Sequence, residues 1–145
     1  MRTICLTIAY EGIKTSLHAL TGQSIRIQGA GRTDTGVHAM GQVAHFTTDS
    51  TIPPGKFAAA LNGELPRDIL VRESKEVPAE FHARYSAVRK QYRYLIDTSE
   101  TSPPLPRRLV GRVPGDIDEA ARAAARRRLE GRHDFSAFES HSSPD

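Results

Sequence analysis

The chain has 145 residues, a length that suits one domain or one and a fraction, and its 38% hydrophobic content is low but sufficient for a folded core. A net charge of +3 and a pI near 9.3 make it mildly basic, which admits a polyanionic partner without requiring one. The single cysteine, Cys5, excludes an internal disulfide and a thiolate metal cluster. No apolar stretch approaches the ~18–20 residues of a membrane span, and Met1-Arg2-Thr3 leads into a strand-like run rather than a signal-peptide core, so a soluble, cytoplasmic chain is expected.

Residues 3–9 (TICLTIA) alternate Ile4, Leu6 and Ile8 on one face and predict a strand. Residues 13–20 space Ile13, Leu17 and Leu20 as a short helical face that Gly22 ends. Residues 24–30, with Ile25 and Ile27, predict a second strand running into a glycine-rich loop, and residues 41–48 (GQVAHFTT) a third. Pro53-Pro54 opens a helix through Phe57 to Leu61, closing near Gly63. Residues 68–77 predict a fourth strand, and the alternating, aromatic residues 89–97 (RKQYRYLID) a fifth.

The order β-α-β-β-α-β, then one more strand, predicts an α+β fold: a ferredoxin-like (split βαβ) antiparallel sheet with helices on one face and the other face free. Residues 1–97 would form this unit, and the proline-rich residues 98–117 a linker. Residues 118–145 would begin something further, with a helix over 118–130 whose acids come first (Asp118, Glu119) and whose arginines follow, as the helix dipole favours. Charge is uneven, since twelve of the twenty Lys and Arg lie from Arg84 onward. Residues 82–94 carry Arg84, Arg89, Lys90 and Arg93 without one acid; such a run is either a solvated face or a phosphate-contacting one.

The loop GAGRTDTGVHA (residues 29–39) packs glycines, a charge pair and a histidine into eleven positions. Gly29, Gly31 and Gly36 allow tight turns and close backbone approach. A phosphate cradle does not fit, because neither GxxxxGK[ST] nor GxGxxG is present. A metal site drawing on His18, Asp34, His38 and His45 lacks closely spaced ligands, and His45 reads as a satisfied strand histidine. Two readings of Asp34 stay open: an Asx-turn aspartate paired with Arg32, or a fixed carboxylate, kept ionised by Arg32, that attacks a substrate.

AGRTDTGVHAMGQVAHF (residues 30–46) resembles the signature of the TruA family of tRNA pseudouridine synthases. LNGELPRDILV, FHARYSA and RKQYRYLI resemble segments that follow it in the family, and HDFSAF the opening of the family's second half. The resemblance implies the N-terminal half of a pseudo-symmetric pseudouridine synthase fold. It also implies that Asp34 is the catalytic aspartate, that Arg32 helps displace the target base, and that Tyr92 packs against the target uracil. Arg84, Arg89, Lys90 and Arg93 would contact RNA phosphates. The implied reaction cleaves the N1–C1′ bond of uridine, turns the uracil and rejoins it through C5. It needs no metal or redox cofactor. The implied targets are uridines at tRNA positions 38 to 40 in the anticodon arm, and the implied full-length form is a homodimer.

The family carries a Gly-aromatic-Gln-x-Gln loop after YEG, whereas here Gly12 runs directly into IKTSLHAL, and the chain enters the second half only as far as Asp145. The 145 residues alone are therefore expected not to isomerise uridine. The rival readings are a non-catalytic RNA-binding module with an RRM-like sheet, which would show exposed aromatics on its central strands, and an inactive remnant of the enzyme.

Overall fold

A computed structural model of the chain describes residues 1–8, 13–33, 37–101 and 109–138. The chain divides into two compact units, Met1–Arg93 and Tyr94–Asp145.

In the first unit the elements run β1 (Arg2–Ile8), α1 (Ile13–Thr21), β2 (Gln28–Gly29), β3 (Gln42–Thr48), a 3-10 turn (Pro54–Lys56), α2 (Phe57–Glu64) and β4 (Glu73–Val77). The sheet order is β2-β3-β1-β4, and every pairing is antiparallel. This is the split βαβ arrangement that the alternation of periods predicts: each helix connects two strands that flank a third. Side chains alternate across a strand, so the pairs Ile4↔Phe46 and Leu6↔Ala44 put four buried apolar residues on one face. Ile13 and Leu17 of α1, and Phe57 and Leu61 of α2, are each four apart and so share a helix face. All eight join one core with Ile27 and Val71, in which the rings of Phe46 and Phe57 meet edge to face at 5.4 Å. Burial of each of these side chains other than Ala44 stabilises by about 1.5–3 kcal/mol. Gly22, at φ 67, takes the left-handed conformation that ends α1, and its N–H donates to the His18 carbonyl at 2.8 Å.

Several boundaries differ from the sequence expectation because side chains take over backbone hydrogen bonds. β2 is two residues rather than seven. At the far end of β3 the Gln23 side-chain carbonyl accepts from Thr48 Oγ1 (2.7 Å) and from the Asp49 N–H (3.4 Å), where a longer strand would have paired. β4 begins at Glu73, since the Val71 N–H and C=O both bond the Asn62 side-chain amide (2.8 and 2.9 Å). α2 runs past Gly63 and stops where Leu65, the residue before Pro66, turns extended (φ −79, ψ 148).

The fifth strand expected over residues 89–97 is the main correction. Residues 89–95 form no strand; every residue from 84 to 96 is exposed. Alternation supplies the side-chain pattern of a strand but no partner, and neither described edge of the sheet takes it up.

In the second unit β5 (Ile96–Asp97) pairs in parallel with β6 (Gly111–Arg112), followed by α3 (Glu119–Leu129) and a 3-10 turn (Ser136–Phe138). The Asp118 carboxylate caps α3 by accepting from the Ala121 N–H at 2.9 Å, Glu119 follows in the first turn, and Arg126–Arg128 occupy the last. No residue of α3 is buried.

Candidate active site and nucleic-acid interface

The glycine loop leaves the sheet at β2. The Ala30 N–H donates to the Val43 carbonyl (2.8 Å), extending the ladder by one residue. The next carbonyl, of Gly31, accepts from the Gln42 side-chain amide, whose own oxygen is buried without a hydrogen-bond partner among the described residues. On the return side the Met40 carbonyl accepts from the Arg72 guanidinium at 3.2 Å. The loop is thus clamped at both ends by side chains from β3 and from the segment before β4. Neither Gln42 nor Arg72 was legible as a site residue, because a side chain bonded to a distant carbonyl leaves no period and no motif.

Between the clamps Arg32, Thr33, Val37 and His38 are exposed, and Asp34 and Gly36 lie outside the described residues. Gly29 and Gly31 do not adopt positive φ, so at these two positions glycine is not serving a left-handed turn. Gly31 does have a neighbour: a side-chain carbon built there would lie in ordinary contact with the Lys90 Nζ, at 3.6 Å. That contact brings the acid-free basic segment against the loop, joining two features that are fifty-nine positions apart in the chain. Arg84, Arg89 and Arg93 are exposed with Lys90, and Tyr92 is 73% exposed with no ring stacked on it among the described residues.

The helix-free face of the sheet carries Thr3, Cys5, His45, Thr47, Lys75 and Val77. Over its middle folds a turn built from residues 81–86. The Ala83 N–H donates to His45 Nδ1 (3.2 Å), and the Arg84 and Tyr85 N–H groups donate to His82 Nδ1 (3.2 and 3.4 Å). The His82 N–H donates to Ser86 Oγ (3.1 Å), and the Ser86 N–H to the His82 carbonyl (2.8 Å). Five consecutive amides are satisfied without a helix, two imidazoles serving as acceptors. Both rings must therefore carry no proton on Nδ1. Burial pushes the His45 imidazole below its ordinary range, the neighbouring His82 adds to this, and a hydrogen bond to the Gln28 backbone pulls the other way. His45 is the satisfied strand histidine that the sequence suggests. The rings climb outward: His45 meets Phe81 at 5.9 Å and His82 at 4.8 Å, and His82 lies under Tyr85 at 4.4 Å with 31° between planes.

Among the described residues no three His, Cys, Asp or Glu side chains are grouped to hold a metal ion. No described helix is long and apolar enough to cross a membrane. No Phe, Tyr or Trp on β1 or β3 faces the helix-free side, where the one ring, His45, is buried under the turn; Phe46 is buried beneath the helices. The exposed strand aromatics of an RRM-like sheet are therefore missing.

The sequence profile of the tRNA pseudouridine synthases matches residues 6–86, more than half of the chain, and the chain belongs to that family. It is similar to the tRNA pseudouridine synthase A of Ruminiclostridium cellulolyticum, 43% identical over 157 residues that span 96% of this chain and 64% of the relative. The corresponding proteins of Bradyrhizobium diazoefficiens and Halalkalibacterium halodurans are each 46% identical, over 87% and 88% of this chain and 52% and 48% of their own lengths. The chain thus spans about half to two thirds of the length of these curated relatives. The aligned span with the first, 157 residues, exceeds the 145 of this chain, so that relative carries internal residues which this chain lacks.

Proposed function

We propose that the chain is the N-terminal, catalytic half of an enzyme that isomerises uridine to pseudouridine in the anticodon arm of tRNA, with residues 98–117 leading into the first part of a second half. The reading is supported by the family match and, above all, by one observation: the Lys90 ammonium lies against Gly31, next to Arg32 in the chain and three residues from Asp34. A loop whose sequence carries a carboxylate, with a basic, acid-free segment against its Gly31, suits a polyanion that must come close to the acid. Asp34 acts as the nucleophile. Uridine is stacked in RNA and must be turned out to react; Arg32 fills the space it leaves, and Tyr92, 73% exposed, receives the extruded uracil by stacking. Arg84, Arg89, Lys90 and Arg93 hold phosphates, and their contribution falls as salt rises. The full-length protein works in the cytoplasm as a homodimer.

The Asp34→Asn substitution tests this in the full-length protein. Asparagine keeps the shape and removes the nucleophile, so tritium release from 5-tritiated uridine tRNA is abolished. Affinity for the same tRNA, measured by filter retention at one salt concentration, stays within about tenfold, or ~1.4 kcal/mol. Substantial turnover by the Asn variant removes Asp34 from the chemistry. A collapse of binding together with a lower unfolding temperature restores it to a turn-tying role.

A further inference from the structure

We propose that the Tyr85 ring, braced from below by His82, is a stacking platform for an unpaired base of the RNA substrate, separate from the Asp34 loop and from Tyr92. The proposal rests on the reading of RNA as the substrate and adds a contact to it. Three observations carry it. First, Tyr85 is 78% exposed although it belongs to a turn in which the amides of residues 82–86 are all hydrogen-bonded, so its backbone is held without burial of the ring. A large ring kept in water at fixed orientation loses little further entropy when a second ring stacks on it. Second, His82 supports the ring at 4.4 Å, and His82 in turn rests on buried His45, so the platform is footed on the sheet. The Arg84 guanidinium lies over the ring at 5.9 Å from its centroid, the outer limit of a cation–π contact, and the residue stays 78% exposed.

Third, the charge around the ring selects the occupant. From His82 to Tyr94 there are four cations and no acid, which suits an apolar flat surface bearing phosphates better than an acidic or neutral peptide. The one ring on the strands beneath, His45, is buried under the turn, and the turn provides the exposed ring they lack. The occupant is thus an unpaired nucleobase with its flanking phosphates on Arg84 and Arg89.

The test uses the 145-residue chain and a short oligouridylate containing one 2-aminopurine, whose fluorescence is quenched on stacking, at a single low salt concentration. The wild-type chain binds and quenches. Tyr85→Ala weakens binding about tenfold, equivalent to ~1.4 kcal/mol, and abolishes the quench. Tyr85→Phe keeps both within about twofold, and Tyr85→Leu, which retains bulk without a π face, behaves as Ala does. A 5-iodouridine version of the oligonucleotide, irradiated on the wild-type chain, cross-links to Tyr85 as mapped by peptide mass; this readout does not depend on any variant folding. No binding by the wild-type chain, equal binding by Tyr85→Ala, equal loss in Tyr85→Phe and Tyr85→Ala, or cross-links confined to other residues each overturn the platform. Its failure is distinguishable from failure of the isomerase reading: tritium release in the full-length protein reports on Asp34 whatever happens at Tyr85.

Discussion

The two units hold themselves together in opposite ways. In Met1–Arg93, ten buried residues from two strands, two helices and their connections close a single core, and the helix ends and loop stems are tied by side-chain bonds such as Asn62 to Val71 and Gln42 to Gly31. From Tyr94 onward no described residue is buried. There α3 relies on near neighbours: the Asp118 cap, the Glu119–Arg122 pair and the Arg126–Glu130 pair at 3.0 Å. An isolated helix shorter than ~12–15 residues is marginal in water, and exposed ion pairs add only about 0.2–0.5 kcal/mol each. The first unit has the means of cooperative unfolding, whereas the second has helix propensity and end effects. An acidic first turn and a basic last turn make a legible helix, but they do not make a core.

The sharpest way to break the comparison is Phe46→Ala. It empties the centre of the core and should cost about 3–5 kcal/mol, seen as a lower urea midpoint for the first unit, with amide exchange in α3 unchanged. If α3 exchange rises with it, the units are not independent. Asn62→Ala comes next. It strands the Val71 N–H and C=O, a residue only 2% exposed, and should cost about 1–3 kcal/mol with little change in core volume. Asp118→Ala should cost about 0.5–2 kcal/mol of α3 alone, read as faster exchange at Ala121 and a smaller helical circular-dichroism signal, with the urea midpoint of the first unit unmoved.

The smallest effect is a pH dependence specific to the first unit. His45 has a folded pKa below its ordinary value of about 6.5, so below that pH the unfolded chain binds the extra proton more readily. Stability is full above about pH 6.5 and declines as pH falls toward the depressed folded value; His45→Gln should flatten this slope in urea titrations. A slope that steepens in the variant would mean that other groups dominate.

Much of the first unit was legible because its signals are periodic. Ile4 and Leu6, Ile13 and Leu17, and Phe57 and Leu61 announce their faces by spacing alone, and the order of periods carries the topology. Residues 89–97 misled for the same reason: Tyr92, Tyr94 and Ile96 alternate as a strand would, yet a strand exists only where a partner offers its edge. At the candidate site the motif pointed to Arg32, Asp34 and Tyr92, while the clamps Gln42 and Arg72 and the histidine-capped turn escaped it. Those are side-chain-to-backbone bonds across the fold, and they become visible only when the sheet register sets His45 beneath Ala83.

The position of β1 has a consequence for how the chain is made. First of the strands to be synthesised, it lies at the middle of the sheet, with Thr3 opposite Thr47 on one side and Val77 on the other. Its two edges stay open until β3, and then β4, have left the ribosome, so the sheet closes late and by contacts distant in sequence, the slow kind. The glycine loop lies between β2 and β3 and is clamped from Gln42 and Arg72, so its shape waits on the same event. Through that interval the apolar face of β1 is the nascent chain's principal exposure to misassociation, and a chaperone that shields it until Val77 emerges would act on the site's geometry without touching the site.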